Sequence, residues 1–330
     1  MYTRRLGKSN IEISGLGMGC FAIGGPFQGK NGNFFAYGSV NDDESKKTLH
    51  KAIELGVNFF NAADMYGCGH SERILGSVIS EYDRKDIVIA TKFANEFDEA
   101  TKTTIGKNIE PDYIRKALDE SCKRLQTDFI DLYQLHDSQH DPESVRNVIS
   151  ILEDLVSEGL IGGYGWSTDD VERAQIFAEE GKNCIAIQYA IHMTRSNPKM
   201  IELREQHNLA SIIRSPLGSG TLTGKYSKEY VESLPKTHMW YKGDFVEEKW
   251  FTKRQLKLAE LKELLIGEKW TVAQVLLGYL WSTSNTTIPI PGAKTIAQIE
   301  ENAAILEYGP LRPDLLKSIN KIFEEIRINV

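Results

Sequence analysis

The chain has 330 residues, 41% of them hydrophobic, which is ample for a core in one large domain or two average ones. Thirty-nine basic against 46 acidic residues leave a net charge of −7 with no basic block, so nucleic acid is excluded as an expected partner and any anion must be held by a local site. No apolar run approaches the roughly 18 residues of a membrane helix, no apolar stretch follows Met1-Tyr2-Thr3-Arg4-Arg5 as a signal peptide requires, and four scattered cysteines lack metal spacing, so a cytoplasmic protein without a metal site is expected.

From the N-terminus, Arg4 to Ile13 carries Gly7-Lys8-Ser9-Asn10 between two extended stretches and reads as a hairpin. Short apolar runs then alternate with amphipathic stretches. Strands are expected over 16–20, 59–61, 87–91, 130–134, 162–166, 185–189, 211–215 and 286–290. Helices are expected over 44–55, 72–80, 112–124, 143–158, 171–179, 199–207, 272–281 and 296–304. Pro111 and Pro142 fall at first helical turns, and Gly56, Gly159 and Gly181 follow periodic runs as C-caps do. Eight strands alternating with eight helices and no linker give the α/β class, a single (β/α)8 TIM barrel over 1–330. An open doubly wound sheet is the alternative, but Gly15-Leu16-Gly17-Met18-Gly19 lies within the first strand and lacks the phosphate-binding continuation. Two segments interrupt the alternation: 24–42, with Phe27, Phe34, Phe35 and Tyr37, and 224–248, with His238, Trp240, Tyr241 and Phe245. Both follow strands, the first and seventh, so they are expected as long loops building a pocket on the C-terminal face.

Three strands end close to residues that handle protons. The 59–61 run leads to Tyr66, the 87–91 run to Lys92 and the 130–134 run to His136. Parallel barrels deliver catalytic groups from the C-terminal ends of different strands. A phenol, a cation beside it and an imidazole suit carbonyl chemistry: an acid, a group that acidifies it, and a donor that orients the substrate oxygen. His70, His192, His207 and His238 have no partners at metal spacing. Cys68, two residues past Tyr66, falls in a loop and is expected to be an exposed, idle thiol.

With these residues in view, the chain resembles the aldo-keto reductase family over nearly its whole length. The resemblance rests on Leu16-Gly17-Met18-Gly19, Gly56-Val57-Asn58-Phe59-Phe60-Asn61-Ala62-Ala63-Asp64-Met65-Tyr66-Gly67, Gly69-His70-Ser71-Glu72, Ala90-Thr91-Lys92 and Asp131-Leu132-Tyr133-Gln134-Leu135-His136. It continues in Arg214-Ser215-Pro216-Leu217-Gly218-Ser219-Gly220 and Ile290-Pro291-Gly292-Ala293-Lys294, in wording closest to the bacterial sugar-reductase-like and channel-β-subunit-like branches. The resemblance implies a catalytic tetrad of Tyr66 as general acid, Lys92 as acidifying cation, His136 as orienting group, and the position five residues before Tyr66. There the family has an aspartate paired to the lysine; this chain has Asn61. Asp64 has the wrong spacing for that part.

It further implies NADP(H) as cofactor and a small-molecule carbonyl as substrate. Ser167, Thr168 and Gln188 lie where the family holds the nicotinamide carboxamide, although asparagine is commoner at 168. Arg214 stands where some members stack an aromatic on the nicotinamide. Ser215, Pro216, Leu217, Gly218, Ser219 and Gly220, with Lys225 beyond, match the pyrophosphate loop, whose small residues let backbone N–H groups approach phosphate. Gly292, Lys294, Thr295 and Gln298, then Glu301 and Asn302, match the opening of a helix that takes the adenosine 2′-phosphate and adenine, and a lysine at 294 favours NADP over NAD.

Two functions from different classes follow. One is a reductase in which Tyr66 protonates the carbonyl oxygen during hydride transfer. The other is an NADP(H)-binding regulatory or interaction protein with little turnover, and Asn61 is the feature in its favour. Free tyrosine titrates near pH 10 and needs a nearby cation to work at neutral pH, while asparagine accepts a hydrogen bond from Lys92 but supplies no charge. A barrel isomerase or hydrolase would need a carboxylate pair or metal cluster at the strand ends, and neither is present in the sequence pattern.

Overall fold

The computed structural model describes residues 2–137, 142–241 and 248–330. Eight parallel strands form its centre: β1 (Met18–Gly19), β2 (Phe59–Asn61), β3 (Val88–Phe93), β4 (Leu132–Leu135), β5 (Tyr164–Ser167), β6 (Cys184–Ala190), β7 (Ala210–Arg214) and β8 (Thr287–Pro289). They pair in chain order. The ring closes between β8 and β1, where Gly17 and Gly19 donate to the carbonyls of Pro289 and Pro291, both at 3.0 Å, and Gly19 bridges to Gly292. Each strand is followed by outer helices, of which α1 (Asp42–Glu54), α2 (His70–Ile79), α3 (Pro111–Leu125), α4 (Pro142–Ser157), α5 (Val171–Glu180), α6 (Pro198–Gln206), α7 (Val272–Trp281) and α8 (Ile296–Ala303) are those foreseen in the sequence. Their starts are locally encoded. The Asn41 and Asp170 side chains accept from backbone N–H groups three residues on, Thr271 and Gln274 form a capping box, and prolines open α3, α4 and α6.

Strand boundaries shift from the expected ones. The first strand shrinks from 16–20 to two residues, whereas β3 runs two residues past 91, so Lys92 belongs to the strand and not to the loop after it. Alternation then decides where Lys92 points. Phe59, Ala90, Leu132 and Ala186 face the barrel interior in one apolar cluster, and the residues two further along, Asn61, Lys92, Gln134 and Gln188, face the same way. The interior is therefore apolar below and polar above.

The lower end is plugged by the expected hairpin, whose strands are Thr3–Arg5 and Glu12–Ser14 and whose Leu6 and Ile13 are fully buried in the inner cluster. Over the upper end lies an element the sequence reading did not foresee. Phe34–Phe35, Phe27–Gln28, Thr103–Lys107 and Asn95–Asp98 form a four-stranded sheet that joins the loop after β1 to the loop after β3. The loop after β7 meets the same segment through a Tyr37–His238 bridge and a bond from Met239 N to the Ala36 carbonyl at 2.7 Å. Phe245 lies outside the described residues. Cys68 is 3% exposed, contrary to expectation, because the turn after β2 folds inward: Gly67, at φ +62°, packs so tightly on Gly24 that an added Cβ would lie 1.8 Å from the Gly24 carbonyl oxygen.

Gly7 turns the plugging hairpin at φ +59°, and a Cβ there would stand 2.1 Å from the Ile185 carbonyl oxygen. Left-handed strain and this collision act together, so Gly7→Ala is expected to cost about 3 kcal/mol. Urea unfolding of the variant beside the parent measures it.

Candidate functional site

A cavity of about 880 Å³ opens on the C-terminal face of the barrel. Asn61, Tyr66 and His136 line its inner end. Lys92, fully buried beneath them, donates to Asn61 Oδ1 at 2.6 Å, to the Ala62 carbonyl at 2.5 Å and to Tyr66 Oη at 3.2 Å. Asn61 in turn donates from Nδ2 to Gln188 Oε1 at 3.1 Å, which fixes which way its amide faces. The Tyr66 ring stands edge-on to Phe21 and to His136, with centroids 5.1 and 5.8 Å away. The four residues matched to the tetrad are thus brought together, although they come from three different strands.

Electrostatics follow from burial. Desolvation pulls the Lys92 ammonium down to about 7, against weaker opposition from Cys20, Asp64 and Glu72. Burial raises the Tyr66 phenol above its ordinary value, and Arg214 is the cation that opposes this most. His136 is held well below the usual imidazole range by burial and then by Lys92, Lys107 and Arg214, so its ring is neutral, and its Nδ1 is buried without a partner. Asp64 is buried too. Its Oδ1 accepts from Met65 N at 2.6 Å, it makes no hydrogen bond to Lys92, and burial beside Glu72 raises its carboxyl well above the ordinary range.

The cavity extends outward from this cluster. Ser167, Thr168, Gln188, Arg214 and most of the turn after β7 line it, as do Lys225, Gly292, Lys294, Gln298, Glu301 and Asn302. Gly218 and Thr295 do not. Gly218 sits in the turn at φ +57° behind the lining, and the Thr295 side chain is occupied capping α8 by accepting from Gln298 N at 3.3 Å. Glu301 and Asn302 lie in the last turn of α8, not at its opening, because the helix is only eight residues long; they reach the cavity from its side. The Lys294 ammonium donates to the carbonyls of Tyr37 and Ser39 at 3.1 and 2.7 Å, and the Lys294 backbone N–H is held by Gln298 Oε1. Arg214 pairs with Asp169 at 2.5 Å, and Arg195 with the same carboxylate oxygen at 3.2 Å.

Sequence reading missed Phe21, Lys107 and Asp169, all of which line the cavity. Lys107 ends the unforeseen upper sheet, so no strand-end pattern pointed to it. Asp169 follows two residues that were identified, and its spacing from β5 was the available signal.

The model of the aldo/keto reductase family matches residues 16–324, and the chain belongs to that family of oxidoreductases. An aldo-keto reductase of Schizosaccharomyces pombe, named as using NADP(+), is 28% identical, over 92% of this chain and 86% of that protein. The NADH-specific methylglyoxal reductase of Escherichia coli is 26% identical, over 91% and 92%. In fold, the chain is similar to the glycerol dehydrogenase of Gluconobacter oxydans, with a TM-score of 0.82 at 24% identity, covering 98% of this chain and 95% of that one. Among the described residues no helix is long and apolar enough to cross a membrane.

The position of Lys92 carries a stability signature. Its folded value of about 7 lies below the ordinary 10.5, so between these limits the unfolded chain binds the extra proton. Stability therefore rises as pH increases from about 7 towards 10. Asn61→Asp sets an anion against Lys92, raises its value and flattens that slope. Urea unfolding at stepped pH, for parent and variant, reads the difference.

Proposed function

We propose that the chain is an NADP(H)-dependent reductase of aldehydes or ketones, of sugar or small-carbonyl type, acting in the cytoplasm through one barrel domain. The observation that supports this best is the Tyr66–Lys92 contact of 3.2 Å beside His136 at the inner end of the cavity. The residues also fit the dinucleotide. The turn after β7 holds Ser215, Gly218, Ser219 and Gly220 at positive φ, and its small residues let a phosphate approach the backbone closely where Ser215, Ser219 and Gly220 line the cavity. Lys294 and Lys225 supply cations further out along the same cavity. When bound, the dihydronicotinamide supplies the hydride that adds to the carbonyl carbon.

The chain's own residues do the rest. Neutral His136 offers an N–H to the carbonyl oxygen and orients it. Tyr66 Oη gives its proton to that oxygen as the hydride arrives, and a charged Lys92, touching the phenol, steadies the phenolate left behind. Arg214 adds a second cation in the Tyr66 field. Oxidation of NADPH with a panel of aldoses, aldehydes and ketones tests the proposal. Tyr66→Phe is expected to abolish turnover while cofactor affinity stays within a few-fold; substantial residual turnover would move the acid role elsewhere.

Lys294 and the S. pombe relative's NADP(+) favour the phosphorylated cofactor. A charge-assisted bond is worth roughly 1.5–3 kcal/mol, so Lys294→Ala should weaken NADPH by about ten- to a hundredfold and NADH much less. Equal losses in fluorescence titrations with the two cofactors would remove Lys294 from that role.

A second reading, a cofactor-binding regulatory protein that turns over slowly, is favoured by one observation. Burial pulls Lys92 down to about 7 and its partner Asn61 brings no counter-charge to oppose this, so part of the population lacks the acidifying cation. Asn61→Asp should then raise kcat about tenfold or more and shift the basic limb of its pH profile. An unchanged rate and profile would deprive this reading of its support.

A further inference from the structure

The net charge of the chain is −7, yet the cavity wall is cationic once its internal pairs are counted. Its acids are already taken. Asp169 is shared by Arg214 and Arg195, Asp170 caps α5 and pairs with Arg173 at 3.5 Å, and Glu301 meets Lys225 at 3.4 Å. At the outer end Lys294 is the surplus charge: its ammonium meets only the Tyr37 and Ser39 carbonyls among the described residues. Arg214 and Lys107 line the cavity from different elements: Arg214 ends β7, and Lys107 ends the second of the two upper-sheet strands after β3 and reaches the His136 carbonyl.

Lys107 is held in place by neutral groups. Its ammonium donates to Asn95 Oδ1 at 2.6 Å and to the His136 carbonyl at 3.1 Å, and among the described residues no carboxylate pairs with it. Asp137 and Asp64 act on it only at longer range. Arg214 has Nη2 on Asp169 and the rest of a 39% exposed side chain at the cavity. Lys107 is bonded to the His136 carbonyl, and Lys107, Arg214, His136 and Tyr66 all line the same cavity. The proton and hydride steps on a neutral aldehyde make no use of the Lys107 charge.

Building on the reductase reading above, we infer that the preferred substrate is a carbonyl compound carrying an oxyanion, carboxylate or phosphate ester, which is received between Lys107 and Arg214 while its carbonyl faces Tyr66 and His136. Lys107 is the residue that sets this preference, through a charge-assisted bond to the oxyanion. The hydride and proton steps are unchanged; the anion fixes which end of the molecule enters first.

The test compares kcat/KM, at saturating NADPH, for glyoxylate and succinic semialdehyde, for glyceraldehyde 3-phosphate, and for propanal, butanal and glyceraldehyde as neutral counterparts. An advantage of about ten- to a hundredfold for at least one anionic set is expected, expressed in KM and shrinking as salt is raised. Preference for the carboxylates alone, or for the phosphate alone, identifies the source of the oxyanion. Lys107→Met should remove most of the advantage and Lys107→Arg should keep it. Equal use of neutral and anionic substrates, or an advantage untouched in Lys107→Met, overturns the inference while leaving the reductase reading intact. If no carbonyl is reduced, that reading fails, and calorimetric titration decides the anion site by itself. Malonate binding that malonamide does not share, lost in Lys107→Met, supports it, and equal or absent binding refutes it.

Discussion

Lys92 lies inside a barrel with three oxygen acceptors around its ammonium, and among the described residues none of them is a carboxylate. Much of the upper barrel is arranged by that fact. The amide of Asn61 must turn its oxygen towards the lysine, which leaves its nitrogen for Gln188, and Gln188 is thereby fixed in the wall of the cavity. The phenol oxygen of Tyr66 completes the shell by accepting from Lys92. A buried lysine is costly as an ammonium and tolerable as an amine. Burial therefore draws Lys92 towards the amine, and Cys20, Asp64 and Glu72 oppose this more weakly.

Behind the lysine the interior has its own charged cluster. Glu72, fully buried, accepts from Arg124 Nε at 2.7 Å and from the Thr91 hydroxyl at 2.5 Å. Arg124 also reaches Glu99. This cluster satisfies its members among themselves, and Asp64, placed beside it, is drawn towards the neutral form by Glu72. A carboxylate added at position 61 would enter a region that already holds two buried acids. Asparagine keeps the shape of the contact without adding a further buried acid, at the expense of the field on the phenol.

Most of the barrel was legible because burial on both faces leaves apolar runs, and because Asn41, Thr271 and the prolines mark helix starts in the local sequence. Tyr66 and His136 were legible by the same route, since each follows an apolar run, whereas Asn61 was read only from the resemblance to the family. Lys92 was legible as a residue but not as a position: only the pairing of Lys92 with Gln134 across neighbouring strands shows that it is inside. The upper sheet was not legible. Its strands are two to five residues long, mostly half-exposed, and come from two loops far apart in the chain, so no periodicity announces them. Lys107 was lost with it. Cys68 failed for a related reason: a turn rich in glycine reads as surface, whereas here its glycines allow close backbone packing against Gly24.

The upper sheet has a consequence for how such a protein changes over generations. Lys107 stands on a strand that contributes nothing to the eight-stranded ladder, and among the described residues its side chain bonds to a neighbouring amide and one carbonyl. Exchanging it leaves the closed ring, the plugging hairpin and the helix caps as they are. The residues around Lys92 are rooted in the barrel and inherit the barrel's intolerance of mutation, while Lys107 rides on a patch that drift is free to rewrite. A lineage built on this plan explores new diets without having to relearn how to fold.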